Sequence, residues 1–366
     1  MSVNVAIIKP AGNGCNMQCD YCYAGGNINK IHNMPVEMAK KIVDEMMSQK
    51  GIKEDRIEFL WHGGEPLLRG IDFFKEVFEY QKKKYQINGT QKYINAIQSN
   101  LTLFNDEWIQ FFLDYDIPVS TSLDGNKLLH NEYRKFANGK GSYDLIVNKI
   151  KHAQSAGLIV NILVVISKTN MNCAQEIFNM INNLNIHHVG FLTCFLSENG
   201  TLKYPSLEPG DFAKFLIPFF ELYTNEPCSF TVREFEQLLS GSVRVYGGTC
   251  SFAGNCQNFI CINSNGDVYA CDTSPLSNEY RFGNISNQNL EEILSSPQRS
   301  KLLESYNVVP DKCLSCDYHL FCNNGCYNMR INNGQYLFCK DRKLLYEYML
   351  GVTRQVIRKR KCTDCQ

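Results

Sequence analysis

Short apolar, often β-branched runs alternate with longer stretches of helical periodicity over residues 3–195. The runs predict strands at Val5–Lys9, Ile57–Trp61, Tyr93–Gln98, Pro118–Ser122, Ile159–Ile166 and Val189–Cys194. The stretches between them predict helices at Pro35–Ser48, Phe73–Tyr85, Glu107–Tyr115, Tyr143–Ala156 and Ala174–Leu184. Strands that alternate with helices indicate an α/β fold with a parallel sheet. Six such units are fewer than a closed eight-fold barrel needs, so we expect a partial (β/α)6 TIM barrel.

Residues suited to chemistry follow each predicted strand. They are a cysteine-rich loop after the first strand, then His62–Pro66, Ser99–Asn100, Leu123–Gly125, Ser167–Lys168 and Phe195. The carboxyl ends of parallel strands meet at one edge of a sheet, where the active sites of such folds lie. We therefore expect these segments to share one face.

The pattern changes after residue 195, so residues 1–195 are predicted to be one domain. Residues 196–249 predict a helical connector, with helices at Asp211–Tyr223 and Arg233–Leu239. Residues 250–345 have little continuous apolar pattern and contain nine of the 17 cysteines. Such a segment needs bound metal to fold. Residues 346–366 predict a C-terminal helix and tail.

Composition narrows the class of protein. Lys plus Arg and Asp plus Glu both number 37, so no net charge favours nucleic acid. The first residues lack the features of a signal peptide, and no apolar run approaches the ~18 residues of a membrane span. We expect a cytoplasmic protein without a membrane partner. Clustered cysteines in that compartment indicate metal binding or catalysis rather than disulfides.

Cys15, Cys19 and Cys22 form a C-x3-C-x2-C triad. Iron–sulfur cubanes are normally held by four thiolates, so three thiolates leave one iron open to another ligand. The alternatives are a zinc knuckle or three free thiols. Zinc requires four ligands, and no fourth Cys or His lies within the next few residues.

The triad resembles the signature of radical S-adenosylmethionine enzymes. In that family the open iron binds the methionine part of S-adenosylmethionine, and a 5′-deoxyadenosyl radical then removes a hydrogen atom from the substrate. The run Gly63-Gly64-Glu65-Pro66 resembles the family element that binds the methionine amino group. Alone it would be an ordinary turn.

The resemblance also implies a contact to the methionine carboxylate or the ribose. By position it assigns this contact to Ser122 and Arg134, because an Arg can bind a carboxylate with two hydrogen bonds. A strand-end hydroxyl and a surface arginine are the structural alternatives. Asn100 and Phe195, which follow two other strands, are further candidates for cofactor binding.

The C-terminal cysteines resemble the SPASM domain, a module with two auxiliary clusters found in radical enzymes that modify peptides and proteins. The resemblance implies two ligand sets, which are Cys250, Cys256, Cys271 and Cys326, and Cys313, Cys316, Cys322 and Cys339. Thiolates also suit zinc, so two structural zinc ions are the alternative. With the triad, the family pattern implies three [4Fe–4S] clusters.

Asp272 directly follows Cys271. A carboxylate beside a four-thiolate cluster is disfavoured as the anion, so we expect its pKa to rise toward the range of a general base. A turn cap is its structural alternative. In anaerobic sulfatase-maturating enzymes, which this chain resembles, an Asp at this place deprotonates the substrate.

Two positions differ from the sulfatase-maturase pattern. His62 stands where those enzymes usually have Gln, and Tyr23-Ala24 replaces Phe-Tyr. Those maturase residues contact the substrate, and the run from Trp61 to Leu68 is frequent in enzymes that tailor ribosomally made peptides. We therefore expect a peptide maturase that forms a crosslink or thioether. Formylglycine formation in a sulfatase and small-molecule dehydrogenation are the alternatives.

The expected partners are a peptide or protein substrate and a flavodoxin- or ferredoxin-type electron donor. Four residues have no assigned role at this point, which are His62, Cys261, Cys362 and Cys365.

Overall fold

The computed structural model describes residues 2–25, 28–49, 56–87, 90–198, 201–242, 254–331 and 334–363. The chain divides into two compact units. The first unit comprises Met1–Val164, Ile186–Val189 and Asn255–Asn307. The second comprises Val165–Asn185, Gly190–Gly254 and Val308–Gln366.

Strands and helices alternate through the first half of the chain. The strands are β1 (Val5–Ile8), β2 (Ile57–Trp61), β3 (Gln86–Ile87), β4 (Thr90–Gln91), β5 (Tyr93–Gln98), β6 (Val119–Ser122), β7 (Val160–Ile166), β8 (His188–Thr193), β9 (Ser197–Glu198), β10 (Thr201–Leu202), β11 (Thr231–Val232), β12 (Phe259–Ile262), β13 (Asp267–Tyr269) and β14 (Gly283–Asn284). The α-helices are α1 (Val36–Met47), α2 (Ile71–Tyr85), α3 (Asp106–Asp114), α4 (Lys127–Tyr133), α5 (Tyr143–Ser155), α6 (Ala174–Asn183), α7 (Asp211–Asn225), α8 (Arg233–Ser242), α9 (Leu290–Leu294), α10 (Pro297–Tyr306), α11 (Asp311–Leu314), α12 (His319–Cys322) and α13 (Cys339–Thr363). Short 3₁₀ helices cover Ile28–Lys30, Pro66–Arg69, Cys256–Asn258 and Tyr327–Met329.

The sheet of the first unit runs in the order β7-β6-β5-β2-β1-β12-β13-β14. β1 pairs in parallel with β2 on one side and with β12 on the other. β12, β13 and β14 then form an antiparallel extension. The C-terminal hairpin therefore extends the same sheet that carries the cysteine triad, and residues that follow β13 belong to the same unit as the triad.

The core of the first unit explains why the strands hold their register. β1 is buried at all four positions, whereas β7 alternates buried and half-buried residues. The Trp61 indole packs against Phe73 and Phe74 of α2, and its Nε1 donates to Oδ1 of Asn95 at 3.0 Å. Apolar burial of this kind supplies most of the driving force for folding.

The second unit has an aromatic core of its own. Phe191 packs against Phe215 and Phe219 of α7. The carboxylate of Asp341 accepts the backbone N–H groups of Gly210 and Ala213, at 2.8 and 2.9 Å. These contacts satisfy free donors at the start of α7 and fix the first turn of α13 against it.

The prediction of an α/β array with six strand–helix units is confirmed. The six predicted strands and five predicted helices are present, with ends within two residues of the expected positions. Both connector helices are present as well. The sequence did not predict α4, the small β3–β4 hairpin or the short helices beyond residue 290. In the parts of the chain that the structure describes, no helix is both long and apolar enough to cross a lipid bilayer.

Candidate active site

The three cysteines of the first loop lie in the segment that follows β1. Each is half-buried, and the backbone N–H of Cys22 donates to the carbonyl of Cys19 at 3.1 Å. Burial raises the pKa of the Cys15 thiol to about 12, and the charges of Glu65, Cys19 and Cys22 contribute to the rise. The three thiols therefore share one small region, in which a bound metal would replace their protons.

Asn100, at the end of β5, connects the cysteine loop to the sheet. Its Nδ2 lies 3.6 Å from Sγ of Cys15 and donates to Oδ1 of Asn16 at 3.0 Å. Its Oδ1 accepts from the backbone N–H and the hydroxyl of Thr102. These bonds use the donors and the acceptor of the amide, so Asn100 orients the cysteine loop.

The glycine turn after β2 packs directly on the same loop. The N–H of Gly64 donates to the carbonyl of Gly12, and the N–H of Glu65 donates to that of Gly14. A Cβ atom on Gly64 would lie 1.9 Å from the carbonyl oxygen of Gly14, and Gly63 has a φ of +120°. Only glycine permits this approach, so the turn and the cysteine loop form one structure.

The Glu65 side chain is 1% exposed and accepts three hydrogen bonds. The donors are the N–H of Leu67 at 3.0 Å, the hydroxyl of Ser99 at 2.8 Å and the N–H of Asn100 at 2.7 Å. Burial raises the pKa of Glu65 to about 7, although these bonds oppose the rise. The carboxylate thus ties the turn to the end of β5. Pro66 begins the 3₁₀ helix that Glu65 caps.

Arg134 lies buried at the end of α4, with 8% of its surface exposed. Its Nη1 donates to the hydroxyl of Tyr21 at 3.0 Å and lies 4.0 Å from Oδ2 of Asp124. The Tyr21 hydroxyl in turn donates to Asp124. Burial lowers the pKa of Arg134, but Tyr21, Cys19 and Asp124 outweigh it, so the guanidinium stays charged. Its Nε is buried and has no hydrogen-bond partner among the described residues.

Two other predicted contacts have simpler surroundings. Ser122 ends β6 and is half-buried, with its Oγ 3.4 Å from Nε2 of Gln98. Phe195 follows β8 in the second unit and is half-buried. Cofactor binding by both residues stays a prediction.

Asp272 lies among polar groups from three other segments of the first unit. Its Oδ2 accepts from the hydroxyl of Tyr23 at 2.6 Å, and its Oδ1 accepts from the thiol of Cys271 at 3.0 Å. Its backbone carbonyl accepts from Nζ of Lys9 at 3.1 Å. His62 also lies close enough to act on its charge.

The residues around Asp272 act against the rise in its pKa that an adjacent cluster would cause, and that rise stays a prediction. Loss of solvation raises the pKa, but His62 and the hydrogen bonds from Cys271 and Tyr23, together with Lys9, lower it more. The net pKa is below the ordinary value. The sequence argument considered only the adjacent thiolates and did not include Tyr23, His62 and Lys9, which the fold brings close to the carboxylate.

The first auxiliary set of cysteines is divided. Cys256 and Cys271 belong to the first unit, and Cys326 belongs to the second. Cys250 lies outside the described residues. Their grouping around one cluster stays a prediction.

The second auxiliary set meets at one cavity of the second unit. Cys313, Cys316, Cys322 and Cys339 all line it. Burial raises the pKa of the Cys313 thiol, and the charges of the other three thiols raise it further. Four thiols are the number that a cubane takes, and the binding of one cluster by this set stays a prediction.

The remaining cysteines fit structural roles where they are described. Cys261 lies within β12 and is 1% exposed, and Cys194 is 2% exposed. Cys362 lies within α13, and Cys365 lies outside the described residues.

The sequence assigned Lys9 and Tyr21 no role in the site. It indicated Asp124 only within a strand-end segment and Tyr23 only as a departure from the maturase pattern. Their nearness to the triad and to the predicted strand ends was the available signal. Lys9 is 1% exposed, and an ammonium so deeply buried must be paired.

Known proteins share both halves of this architecture. The family model of the radical SAM superfamily matches residues 10–181, and that of the SPASM iron–sulfur cluster-binding domain matches residues 250–317. A serine-type anaerobic sulfatase-maturating enzyme of Bacteroides thetaiotaomicron is 30% identical over 349 residues, which cover 89% of this chain and 83% of the relative. A cysteine-type enzyme of Clostridium novyi is 30% identical over 356 residues, covering 93% and 94%.

Solved structures agree with the sequence relatives. The structure described as native anSMEcpe with bound AdoMet has a TM-score of 0.85 and 25% identity, covering 96% of this chain and 98% of that chain. Streptococcus suis SuiB bound to S-adenosylmethionine has a TM-score of 0.66 and 17% identity, covering 92% and 76%, which shows a shared fold.

The partial barrel and the cysteine triad packed on a glycine turn define a radical S-adenosylmethionine enzyme. The chain belongs to the radical SAM superfamily, in the SPASM-containing group that includes the anaerobic sulfatase-maturating enzymes. S-adenosylmethionine and iron–sulfur clusters are the cofactors of this family.

The described residues fit both kinds of cofactor. Three neighbouring thiols in the first unit and four in the second offer the soft ligands that iron–sulfur clusters take. The buried Nε of Arg134 has an unused donor beside the triad, which suits the carboxylate of a methionine group.

Proposed function

We propose that the protein is a radical SAM oxidoreductase that oxidises a side chain within a peptide or protein by two electrons. The packing of the cysteine triad on Gly63 and Gly64, in the unit that also holds Asp272, carries this proposal. In this proposal a site for radical formation and a base belong to one compact unit. We propose a cytoplasmic enzyme that receives electrons from a flavodoxin- or ferredoxin-type donor.

In this proposal the chain holds three [4Fe–4S] clusters. Cys15, Cys19 and Cys22 hold the first, and the two C-terminal sets hold the auxiliary clusters, which are Cys250, Cys256, Cys271 and Cys326, and Cys313, Cys316, Cys322 and Cys339. S-adenosylmethionine is bound by Gly63, Gly64, Glu65 and Pro66, with Asn100, Ser122, Arg134 and Phe195 as further contacts. When bound, these groups supply two things: a 5′-deoxyadenosyl radical, which removes one hydrogen atom from the substrate, and an acceptor for the second substrate electron.

Asp272 takes the proton that substrate oxidation releases. Its Oδ1 accepts from the thiol of Cys271, and a thiolate ligand would have no proton to donate, so this oxygen would then be free to accept a proton from the substrate. The Tyr23 hydroxyl keeps Oδ2 occupied and orients the carboxylate. Tyr23 and Lys9 favour the anionic form of Asp272, which is the form that accepts a proton.

The relatives support a polypeptide substrate. Four curated relatives between 26% and 30% identical are named sulfatase-maturating enzymes. One matched structure is described as anSMEcpe with AdoMet and the Cp18Cys peptide, and another as SuiB with its precursor peptide SuiA. His62 and Tyr23-Ala24 differ from the maturase pattern, so we favour formation of a crosslink or thioether in a peptide over formylglycine formation in a sulfatase.

A small-molecule radical dehydrogenase is the less favoured alternative. The eight cysteines available for auxiliary clusters argue against it, because such enzymes often have fewer auxiliary thiolates. A product that forms only with a peptide would exclude it.

Anaerobic turnover of the reconstituted chain tests the proposal. With S-adenosylmethionine and a reductant, we expect 5′-deoxyadenosine, and Cys19→Ala should abolish it. Cys173→Ala is the matched control, since Cys173 lies in the second unit and belongs to none of the three cysteine sets. Absence of 5′-deoxyadenosine from a fully reconstituted chain would contradict the proposal.

The substrate class needs a second assay. The chain is incubated with a sulfatase-derived peptide that carries Cys or Ser at its target position, and with precursor-like peptides encoded by genes adjacent to its own. Mass spectrometry identifies an aldehyde, a crosslink or a thioether. Conversion of the sulfatase peptide alone would favour the formylglycine alternative.

A further inference from the structure

The cavity that brings together Cys313, Cys316, Cys322 and Cys339 also contains a buried arginine. Arg342 lies in the first turn of α13, three residues after Cys339, and is 5% exposed. Its Nη1 donates to the carbonyl of Cys322 at 3.1 Å and lies 4.0 Å from Sγ of the same residue. The guanidinium therefore contacts both the backbone and the sulfur of one cysteine.

Aromatic rings surround this guanidinium. The Arg342 side chain lies over the ring of Tyr336, 5.1 Å from its centroid, and it also interacts with Tyr346. Tyr346 stacks on Tyr318 with ring centroids 5.3 Å apart. Tyr336 and Tyr346 are buried, so they exclude water and strengthen the field of the neighbouring charge.

The charges around the cavity share one sign. Among the described residues that line it, the charged side chains are Lys312, Arg342 and Lys343. The lysines are exposed and screened by water, whereas Arg342 is buried and always protonated. The adjacent Asp341 directs its carboxylate to the backbone of α7. Arg342 is thus the buried cation of this lining and acts on Cys322, whereas Arg330 acts on Cys313.

We infer that Arg342 is a positioning residue for the second auxiliary cluster, where its contact with Cys322 raises the reduction potential of that cluster. This inference rests on the proposed function only in assigning a cluster to these four cysteines. Reduction adds one negative charge, which a nearby cation and a hydrogen bond to sulfur stabilise. A higher potential makes the cluster a better acceptor for the electron released by substrate oxidation.

Redox titration of the full reconstituted chain, followed by electron paramagnetic resonance, tests the inference. Cys15, Cys19 and Cys22 are replaced by alanine so that only the auxiliary clusters respond. In Arg342→Met we expect one of the two auxiliary redox transitions to move to lower potential. At a fixed potential the ratio of reduced to oxidised cluster should fall at least tenfold, which corresponds to a shift of about 59 mV for one electron. Arg342→Lys keeps the charge and should shift less.

Arg69 provides the matched control. Its guanidinium stacks on Phe73 at 4.4 Å and its Nε donates to the carbonyl of Met34 at 2.8 Å, in the first unit. It therefore makes the same kinds of contact as Arg342 without a thiol of the second set. Arg69→Met should leave both transitions unchanged. An unchanged potential in Arg342→Met with full iron content would overturn the inference.

Arg342→Met could fail to assemble its cluster, so a second measurement tests the contact by spectroscopy on the chain that retains Arg342. With ¹⁵N-labelled arginine, electron–nuclear double resonance of the reduced auxiliary clusters should detect a ¹⁵N coupling that Arg342→Lys removes. Absence of that coupling would reject the contact. If the four cysteines bind zinc or no reducible cluster, the proposed function fails. Iron and zinc analysis distinguishes this outcome from failure of the arginine contact alone.

Discussion

At the residue scale, the surroundings of Asp272 come from distant parts of the chain. Lys9, Tyr23 and His62 all act on this carboxylate, although they precede it by more than 200 residues. The position of Asp272 beside Cys271 was readable from the sequence, but its electrostatic environment was not. Buried charge is set by three-dimensional neighbours, so the adjacent cysteine alone does not determine the pKa of this carboxylate.

Replacement of this base should separate two steps of the reaction. Asp272→Asn keeps the shape of the site but cannot accept the substrate proton, so we expect normal 5′-deoxyadenosine formation with about 100-fold less product. Chromatography of both products under anaerobic turnover measures this ratio. Glu279→Gln, at an exposed position of the same segment, is the control and should leave both rates unchanged. Full product formation by Asp272→Asn would remove this residue from the mechanism.

The Tyr23 hydroxyl should set the pH range of product formation. It donates to Asp272 and helps lower the pKa of that carboxylate. Tyr23→Phe removes this bond, so the pKa should rise and the acid-side loss of product should begin at higher pH, by about one unit. The pH profile of product per 5′-deoxyadenosine measures the change, and a profile that moves to lower pH would contradict it.

At the scale of elements, local pattern predicted the six strands and the helices between them. Pairing of β12 with β1 was beyond the sequence, because it joins segments more than 250 residues apart. α4 was missed since it has only seven residues, too few for a helical period. The side chain of Asn126 caps its start by accepting from the N–H groups of Leu128 and Leu129.

The glycine turn and the cysteine loop should respond to mutation as one element. A methyl group at Gly64 would meet the carbonyl of Gly14 at 1.9 Å, and neither backbone can move cheaply. Gly64→Ala should therefore lower stability by about 1–3 kcal/mol and reduce the iron bound by the triad. Thermal unfolding and iron analysis measure both effects.

Gly351→Ala is the matched control for this substitution. Gly351 lies within α13, and an added Cβ there meets no atom within 4 Å. Alanine is favoured over glycine in a helix, so stability should stay equal or rise slightly. Equal iron content in Gly64→Ala and Gly351→Ala would show that the turn and the loop do not depend on each other.

At the scale of the whole molecule, the cysteine spacing predicts a first auxiliary ligand set that the boundary between the compact units divides. The SPASM match covers residues 250–317, whereas the division into units falls after Asn307. Cysteines of one predicted set can therefore belong to different units, as Cys271 and Cys326 do. Ligand spacing reflects local loops, and the assignment of each loop to a unit depends on tertiary packing.

Metal stoichiometry tests the complete assignment of cysteines. Three four-iron clusters require about twelve irons and as many sulfides for each chain. Replacement of both Cys313 and Cys316 by alanine should remove about four irons, because two of the four thiols of one cavity are lost. Elemental and sulfide analysis of anaerobically reconstituted protein measures the loss. The triad should still cleave S-adenosylmethionine in this variant, since its ligands lie in the first unit.

The matched control is replacement of both Cys173 and Cys228, which are half-buried and outside the predicted ligand sets. Loss of these two thiols should leave the iron content unchanged. A lower iron content in this control would mean that iron loss results from general unfolding rather than from loss of a ligand. Zinc in place of iron at the C-terminal cysteines would contradict the auxiliary clusters and leave the radical site untouched. About four irons and no zinc in the unmodified chain would instead mean that only the triad binds a cluster. The four thiols that share one cavity, those of Cys313, Cys316, Cys322 and Cys339, would then bind no metal.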